Sequence, residues 1–236
     1  MNILKISWYR NLILLAILLR LLIMPFFFHP DIKTMHFQSQ FLSRGVFDIY
    51  KYLDEQKATL PLKEEFVYFP LAYFFLGGYQ IIISPLLDDN FYSFVNDASG
   101  KAMEIVGSFR YLFLLKMPYL IADIVIALLL LKFFSIEEQK KKVFTLWLFN
   151  PLTIVLIYIF SNIDIIVVLL TLLSVLLAKN RNMILAALIL GIAAGFKAYP
   201  LLFLPFLLLY SKNIKQIVLM VLACLCTLAI VVAHFY

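Results

Sequence analysis

Apolar residues gather in long runs, and polar residues gather between them. The runs fall at approximately 11–28, 67–87, 110–134, 143–160, 164–178, 183–196, 198–210 and 216–235. A helix crosses a bilayer with about 20 apolar residues, in a range of roughly 17–25. The pattern predicts an all-α, polytopic membrane bundle over residues 1–236, organised as a single transmembrane domain. The runs at 164–178, 183–196 and 198–210 are short. Short spans suit helices that stop at a water-filled cavity or a thinned bilayer. The first run is too long for a signal peptide and no small-residue cleavage site comes after it, so it reads as a retained anchor.

Basic residues in short loops set the orientation. Lys5 and Arg10 put the N-terminus inside, and Lys140, Lys141 and Lys142 mark an inside loop. The loops at Lys179 with Arg181 and at Lys212 with Lys215 are inside as well, leaving Ser161-Asn162 and Lys197 outside. Residues 29–66 then form an extracytoplasmic loop. An odd number of crossings must join that loop to the triple lysine, yet two apolar runs lie between them. The joining segment 88–109 is acid-rich, with Asp88, Asp89, Asp97 and Glu104, which suits the outside. The expectation is that 67–87 does not cross fully, with Gly77-Gly78 and Pro85 breaking it into a re-entrant or membrane-surface element. Residues 32–46 read as a juxtamembrane surface helix: Met35, Leu42 and Val46 share one side, Lys33, His36, Gln40 and Arg44 are its polar positions, and Gly45 ends it.

Composition agrees with the pattern. The chain is 64% hydrophobic with a mean hydropathy of +0.97, against about 45–50% apolar for soluble domains. The net charge of +6 comes mostly from the inside loops and calls for no nucleic acid. Cys224 and Cys226 lie about 200° apart on a helix, which disfavours a shared metal or a mutual disulfide. No P-loop, GxGxxG or HExxH string is present.

Five places could carry chemistry. Asp31 comes after Phe-Phe-Phe-His29-Pro30 at the mouth of the first run. It can cap the next helix, or serve as a general base toward a sugar hydroxyl; His29 and His36 flank it. Asp123, seven residues after Lys116, lies in an apolar run, where an acid costs about 2.5–3.5 kcal/mol and must face protein or water. Ser161-Asn162-Ile163-Asp164 makes an outside turn that either caps the next helix or lines a cleft. Lys197, before Tyr199-Pro200, either snorkels to headgroups or holds a phosphate. Tyr68-Phe69-Pro70 offers an aromatic wall. Asn150-Pro151 marks a kink.

In order, His29-Pro30-Asp31, Gly45-Val-Phe-Asp48-Ile-Tyr50, Tyr68-Phe69-Pro70-Leu71, Lys116-Met-Pro118-Tyr-Leu-Ile-Ala-Asp123, Asn150-Pro151, Ser161-Asn162-Ile163-Asp164 and Lys197-Ala-Tyr199-Pro200 resemble the GT-C superfamily of polyprenyl-phosphate-sugar-dependent glycosyltransferases. The chain looks most like bacterial members near the GPI mannosyltransferase I catalytic subunit. The resemblance implies an inverting hexosyl transfer, mannose favoured, from a polyprenyl-phosphate donor to a glycan or lipid acceptor. It implies a site on the extracytoplasmic face of a bacterial plasma membrane. Asp31 matches the acid taken as catalytic base. Lys197 would hold the donor phosphate, and Asp164, Asn162, Asp123, Tyr68 and Tyr199 would shape the donor and substrate site. Some relatives carry two acids one residue apart near Asp31; here Ile32 and Lys33 come next, so no metal ligand or cofactor is assigned and a divalent metal stays open. Relatives are usually longer, so the chain reads as a fragment or a minimal version. The alternatives are a secondary transporter using Asp123 and Lys116, or a non-catalytic membrane assembly subunit.

Overall fold

In a bilayer every backbone N–H and C=O must find its partner within the protein, a demand that helices meet residue by residue. The computed structural model describes residues 7–233, and every regular element among them is helical. Lys5 and the end of the last apolar run lie outside the described residues. The first run forms α1 (Ser7–Ile23). It stops short of the aromatic triplet at 26–28, where the chain turns into the segment that carries the next two helices.

That segment opens with α2 (Pro30–Ser39), extended by a 3-10 turn over Gln40–Arg44 and closed by Gly45 at φ 78°. The helix sits where the pattern predicts it, but its polar side does not face water. Lys33, His36, Gln38, Ser39 and Gln40 are all buried. Polar partners meet three of them: Lys33 Nζ lies 3.6 Å from Asp97 Oδ2, Gln80 Nε2 is 2.7 Å from His36 Nδ1, and Gln38 donates to the Glu64 carbonyl at 2.9 Å, while the Ser39 hydroxyl is buried without a partner. Amphipathic spacing marks these positions as polar; only tertiary packing says that residues 64–97 cover them. The short α3 (Ile49–Gln56) is next, capped by Asp48, whose carboxylate accepts from Lys51 N.

α4 (Pro70–Ile83) starts with proline at its first position and ends in a 3-10 turn over Ser84–Leu86. It runs through Gly77-Gly78 without a break. Gly77 instead allows close approach: a Cβ there would stand 2.7 Å from Leu42 Cβ and 2.8 Å from the Ser39 carbonyl. The helix has 14 residues, about 21 Å at 1.5 Å each, shorter than the ≈ 30 Å hydrocarbon core. α5 (Asp89–Asn96) packs against α2 and α6.

α6 (Ser108–Leu130) continues as a 3-10 turn to Phe133, and these 26 residues are long and apolar enough to cross a membrane. α7 (Glu137–Phe149) and α8 (Pro151–Ile154), the latter extended by a π turn over Val155–Ile159, form a pair bent by 41° at Asn150-Pro151. This is the expected kink, with Asn150 Oδ1 accepting from Leu152 N at 3.0 Å. α9 (Asp164–Lys179), α10 (Met183–Ala194) and the short α11 (Leu204–Leu208) precede α12 (Ile214–Val232), a second helix of crossing length. α10 packs against α9 and α12. Gly191 makes the second contact possible, since a Cβ there would stand 2.6 Å from the Cys224 carbonyl. Cys224 is buried and Cys226 exposed, as expected of residues on different sides of a helix. Leu14, Leu18 and Leu22 on α1 and Leu222 and Leu225 on α12 turn outward. Outward leucine on helices of this kind describes an integral membrane protein.

Candidate functional site

Pro30 fixes the start of α2, and the His29 side chain caps it by accepting from Asp31 N at 3.3 Å. Asp31 is therefore not the cap. Its carboxylate is 61% exposed and lies 3.4 Å from His29 Nδ1. Asp31 and Met35 form one wall of a pocket of about 200 Å³; Leu156, Phe160, Ser161 and Asn162 form the facing wall, and Tyr68 a third. The His29 and Phe160 rings, 5.0 Å apart, bring the first two walls together at the edge.

The facing wall is a sharp turn between the π turn and α9. Ser161 adopts φ 57°, uncommon for a residue with a side chain. Its hydroxyl is buried without a hydrogen-bond partner. Asn162 Oδ1 then accepts from Asp164 N at 2.9 Å, closing the turn that leads into α9. Ile163 is the N-cap of α9 and no side chain caps the helix; Asn162 closes the turn before it and lines the pocket.

Lys197 leaves the end of α10 and comes to 2.6 Å from Asp164 Oδ1, with both side chains about one-third exposed (32% and 33%). The same ammonium lies 5.1 Å from the centre of the Tyr68 ring, a cation–π distance. Tyr68 is held there by backbone pairing: Phe69 N donates to the Phe196 carbonyl at 3.2 Å, and Leu71 N to the Gly195 carbonyl at 3.1 Å. The Tyr50 hydroxyl donates to the Tyr68 carbonyl from the other side. Burial raises the pKa of the Tyr68 phenol, and the charges of Asp31 and Asp164 raise it further, so it stays a neutral donor between two carboxylates. Tyr199 opens the next 3-10 turn, partly exposed, two residues beyond Lys197.

Asp31, Tyr68, Asn162, Asp164 and Lys197 thus meet at one place, drawn from separate stretches of chain. The arrangement offers an exposed carboxylate, a paired cation, an aromatic face and amide and hydroxyl groups. Such a set can accept a proton at Asp31 and bind an anion at Lys197, on neighbouring sides of Tyr68. A larger groove of about 730 Å³ adjoins it, sharing Tyr68 and lined also by Phe66, Val67, Phe69, Pro70 and Val232. Among the described residues, no three His, Cys, Asp or Glu side chains gather into a metal-binding group.

Asp123 is not brought to this place. It has no exposed surface and accepts from Arg20 Nε at 2.6 Å, Trp147 Nε1 at 2.7 Å and the Tyr158 hydroxyl at 2.8 Å. Every polar contact it makes is structural, and its partner is Arg20 rather than Lys116. Arg20 is absent from the sequence-based candidates although it carries a signal: a cation in the middle of the first apolar run needs an intramembrane acid. The orphan hydroxyl of Ser161 carries none, because it depends on the turn's backbone.

The family model described as glycosyltransferase family 87 matches residues 109–236. The matched span holds Asn162, Asp164 and Lys197, while Asp31 and Tyr68 precede it. GPI mannosyltransferase 1 of Candida albicans is 29% identical over 170 residues, covering 60% of this chain and 43% of that protein. The chain therefore spans less than half the length of this curated relative. No solved structure matches.

Proposed function

The chain belongs to glycosyltransferase family 87, and from that premise we propose that it moves a sugar, mannose favoured, from a polyprenyl-phosphate donor to an acceptor hydroxyl on a glycan or lipid. The reaction runs on the extracytoplasmic face of a bacterial plasma membrane. Asp31 takes the proton of the acceptor hydroxyl. The acceptor oxygen forms its bond to the anomeric carbon from the face opposite the phosphate. The bond from that carbon to the phosphate oxygen breaks, and the polyprenyl phosphate leaves with the electron pair, inverting the configuration. Lys197 stabilises the negative charge that grows on the departing phosphate. Tyr68 covers the sugar with its ring, and Asn162, Asp164 and Tyr199 border the site.

The observation that carries this reading is the meeting of Asp31 with the Asp164–Lys197 pair around Tyr68. An inverting transfer needs a base and a cation near one another: Asp31 lines the small pocket, and Lys197 lies over the Tyr68 ring that forms another of its walls. Asp123 and Lys116, the groups a transport path would use, are instead fully bonded within the protein.

The test is transfer from labelled polyprenyl-phosphate mannose by membranes carrying the protein, with Asp31→Asn beside it. The wild type is expected to form product, and Asp31→Asn to lose about 10²–10⁴-fold in kcat with donor KM little changed. A wild type that forms no product, or an Asp31→Asn variant of full activity, overturns the proposal.

A further inference from the structure

Lys116 lies on α6 with no exposed surface. Its ammonium donates to three backbone carbonyls: Met24 at 3.1 Å, Tyr158 at 2.7 Å, and Phe27. An ammonium has three donors and no acceptor, so these bonds use its full capacity. The acceptors lie at or beyond the ends of regular helix: Met24 and Phe27 after α1, and Tyr158 in the π turn. Met24 directly follows α1, where the last carbonyls lack intrahelical partners and carry partial negative charge, and Phe27 lies in the irregular chain beyond it. Tyr158 lies near the end of the π turn, just before the chain breaks into Ser161-Asn162. A buried cation is costly unless satisfied, and these carbonyls satisfy it.

The placement matters because each acceptor lies just upstream of a pocket wall. Four residues after Phe27 comes Asp31. Three and four residues after Tyr158 come Ser161 and Asn162. These are the two facing walls of the small pocket. We propose that Lys116 is a positioning residue for the transfer: one ammonium clamps the end of α1 to the π turn and so sets the gap across which Asp31 faces Ser161 and Asn162. The role in transfer rests on the proposed glycosyl transfer; the clamp itself does not. Lys116 touches neither the pocket nor the reacting atoms. It acts through the two backbone segments it ties.

The experiment uses the full chain in membranes and then in detergent, with Cys224→Ala and Cys226→Ala as background. Spin labels at Phe26→Cys and Leu152→Cys, both exposed positions beside the two clamped segments, report the gap. Lys116→Met is expected to broaden the label-to-label distance distribution and to lower kcat on the order of 100-fold, the scale of an ångström-sized misplacement. Donor KM should change far less, because Lys197 is untouched. Lys116→Arg, which keeps charge and donors, should restore a narrow distribution and part of kcat. If Lys116→Met does not fold, Lys116→Gln, with two donors and no charge, is read in its place. A folded variant with the wild-type distance distribution overturns the clamp. A broadened distribution with wild-type kcat overturns the positioning role. Absence of transfer by the wild type overturns the proposed function, while the distances still decide the clamp.

Discussion

Arg20 and Asp123 stand 103 residues apart in the chain and close a 2.6 Å ion pair with no exposed surface on either side. Arg20 also donates to the Ala16 and Leu148 carbonyls, so the pair ties α1, α6 and α7 at one point.

Breaking this pair from one side leaves an uncompensated buried charge. Asp123→Leu is expected to destabilise the protein by about 3–5 kcal/mol. Arg20→Met with Asp123→Leu should recover part of that loss, because no charge is then stranded. Thermal unfolding in detergent of the single and double variants measures the difference. The surviving folded fraction of Asp123→Asn should keep a donor KM close to wild type, as expected of a residue outside the pocket.

Lys197 and Asp164 make a separate prediction about the donor. Lys197→Met should raise donor KM about 10- to 100-fold, the worth of a charged hydrogen bond. Asp164→Asn leaves the ammonium unpaired, so inhibition by sugar-free polyprenyl phosphate should become tighter. Initial rates over a donor series, with and without that inhibitor, read both effects.

His36 gives the protein an acid sensitivity of known sign. Burial lowers its folded pKa from 6.5 to about 3. Its Nδ1 is engaged by Gln80 and its Nε2 has no partner. The unfolded chain therefore binds a proton below pH 6.5 that the folded protein refuses until about pH 3. Stability contributed by neutral His36 is complete above pH 6.5 and is lost as pH falls toward 3, by about 1.4 kcal/mol for each pH unit. His36→Asn, whose Oδ1 can replace Nδ1, should flatten the fall of melting temperature between about pH 6.5 and 4.

The membrane path of residues 67–87 is open to direct labelling. We expect that this segment does not cross. In a protein without its two native cysteines, Glu104→Cys should react with an impermeant maleimide from outside and Lys142→Cys only after permeabilisation. Both positions are exposed, and α6 provides the single crossing between them.

Much of the fold was legible because its signals are local. Apolar runs marked the helices, Asn150-Pro151 marked the bend, and Gly45 marked the end of the segment begun by α2. The neighbourhood of Lys197 and Asp164 was within reach because both fall at ends of short apolar runs. Pairings between distant helices were not legible. Lys116 and Asp123 share α6 at a spacing of two turns, which suggests mutual contact. Arg20 takes the acid and backbone carbonyls take the lysine, because α1 and the segment after it pack against α6. The buried polar side of α2 was hidden for the same reason. Spacing identifies polar positions, but whether water or residues 64–97 meet them depends on the finished packing.

The Arg20–Asp123 pair also has a meaning for biogenesis. Ribosomes add roughly 5–20 residues per second, so the 103-residue separation keeps the arginine waiting about 5–20 s for its counterion. An arginine costs about 2.5–3.5 kcal/mol at the centre of a span and less toward an end, and Arg20 lies in the last turn of α1. During that interval the first helix is a poor independent guest of the lipid, and its final depth is fixed only when the sixth helix is delivered beside it.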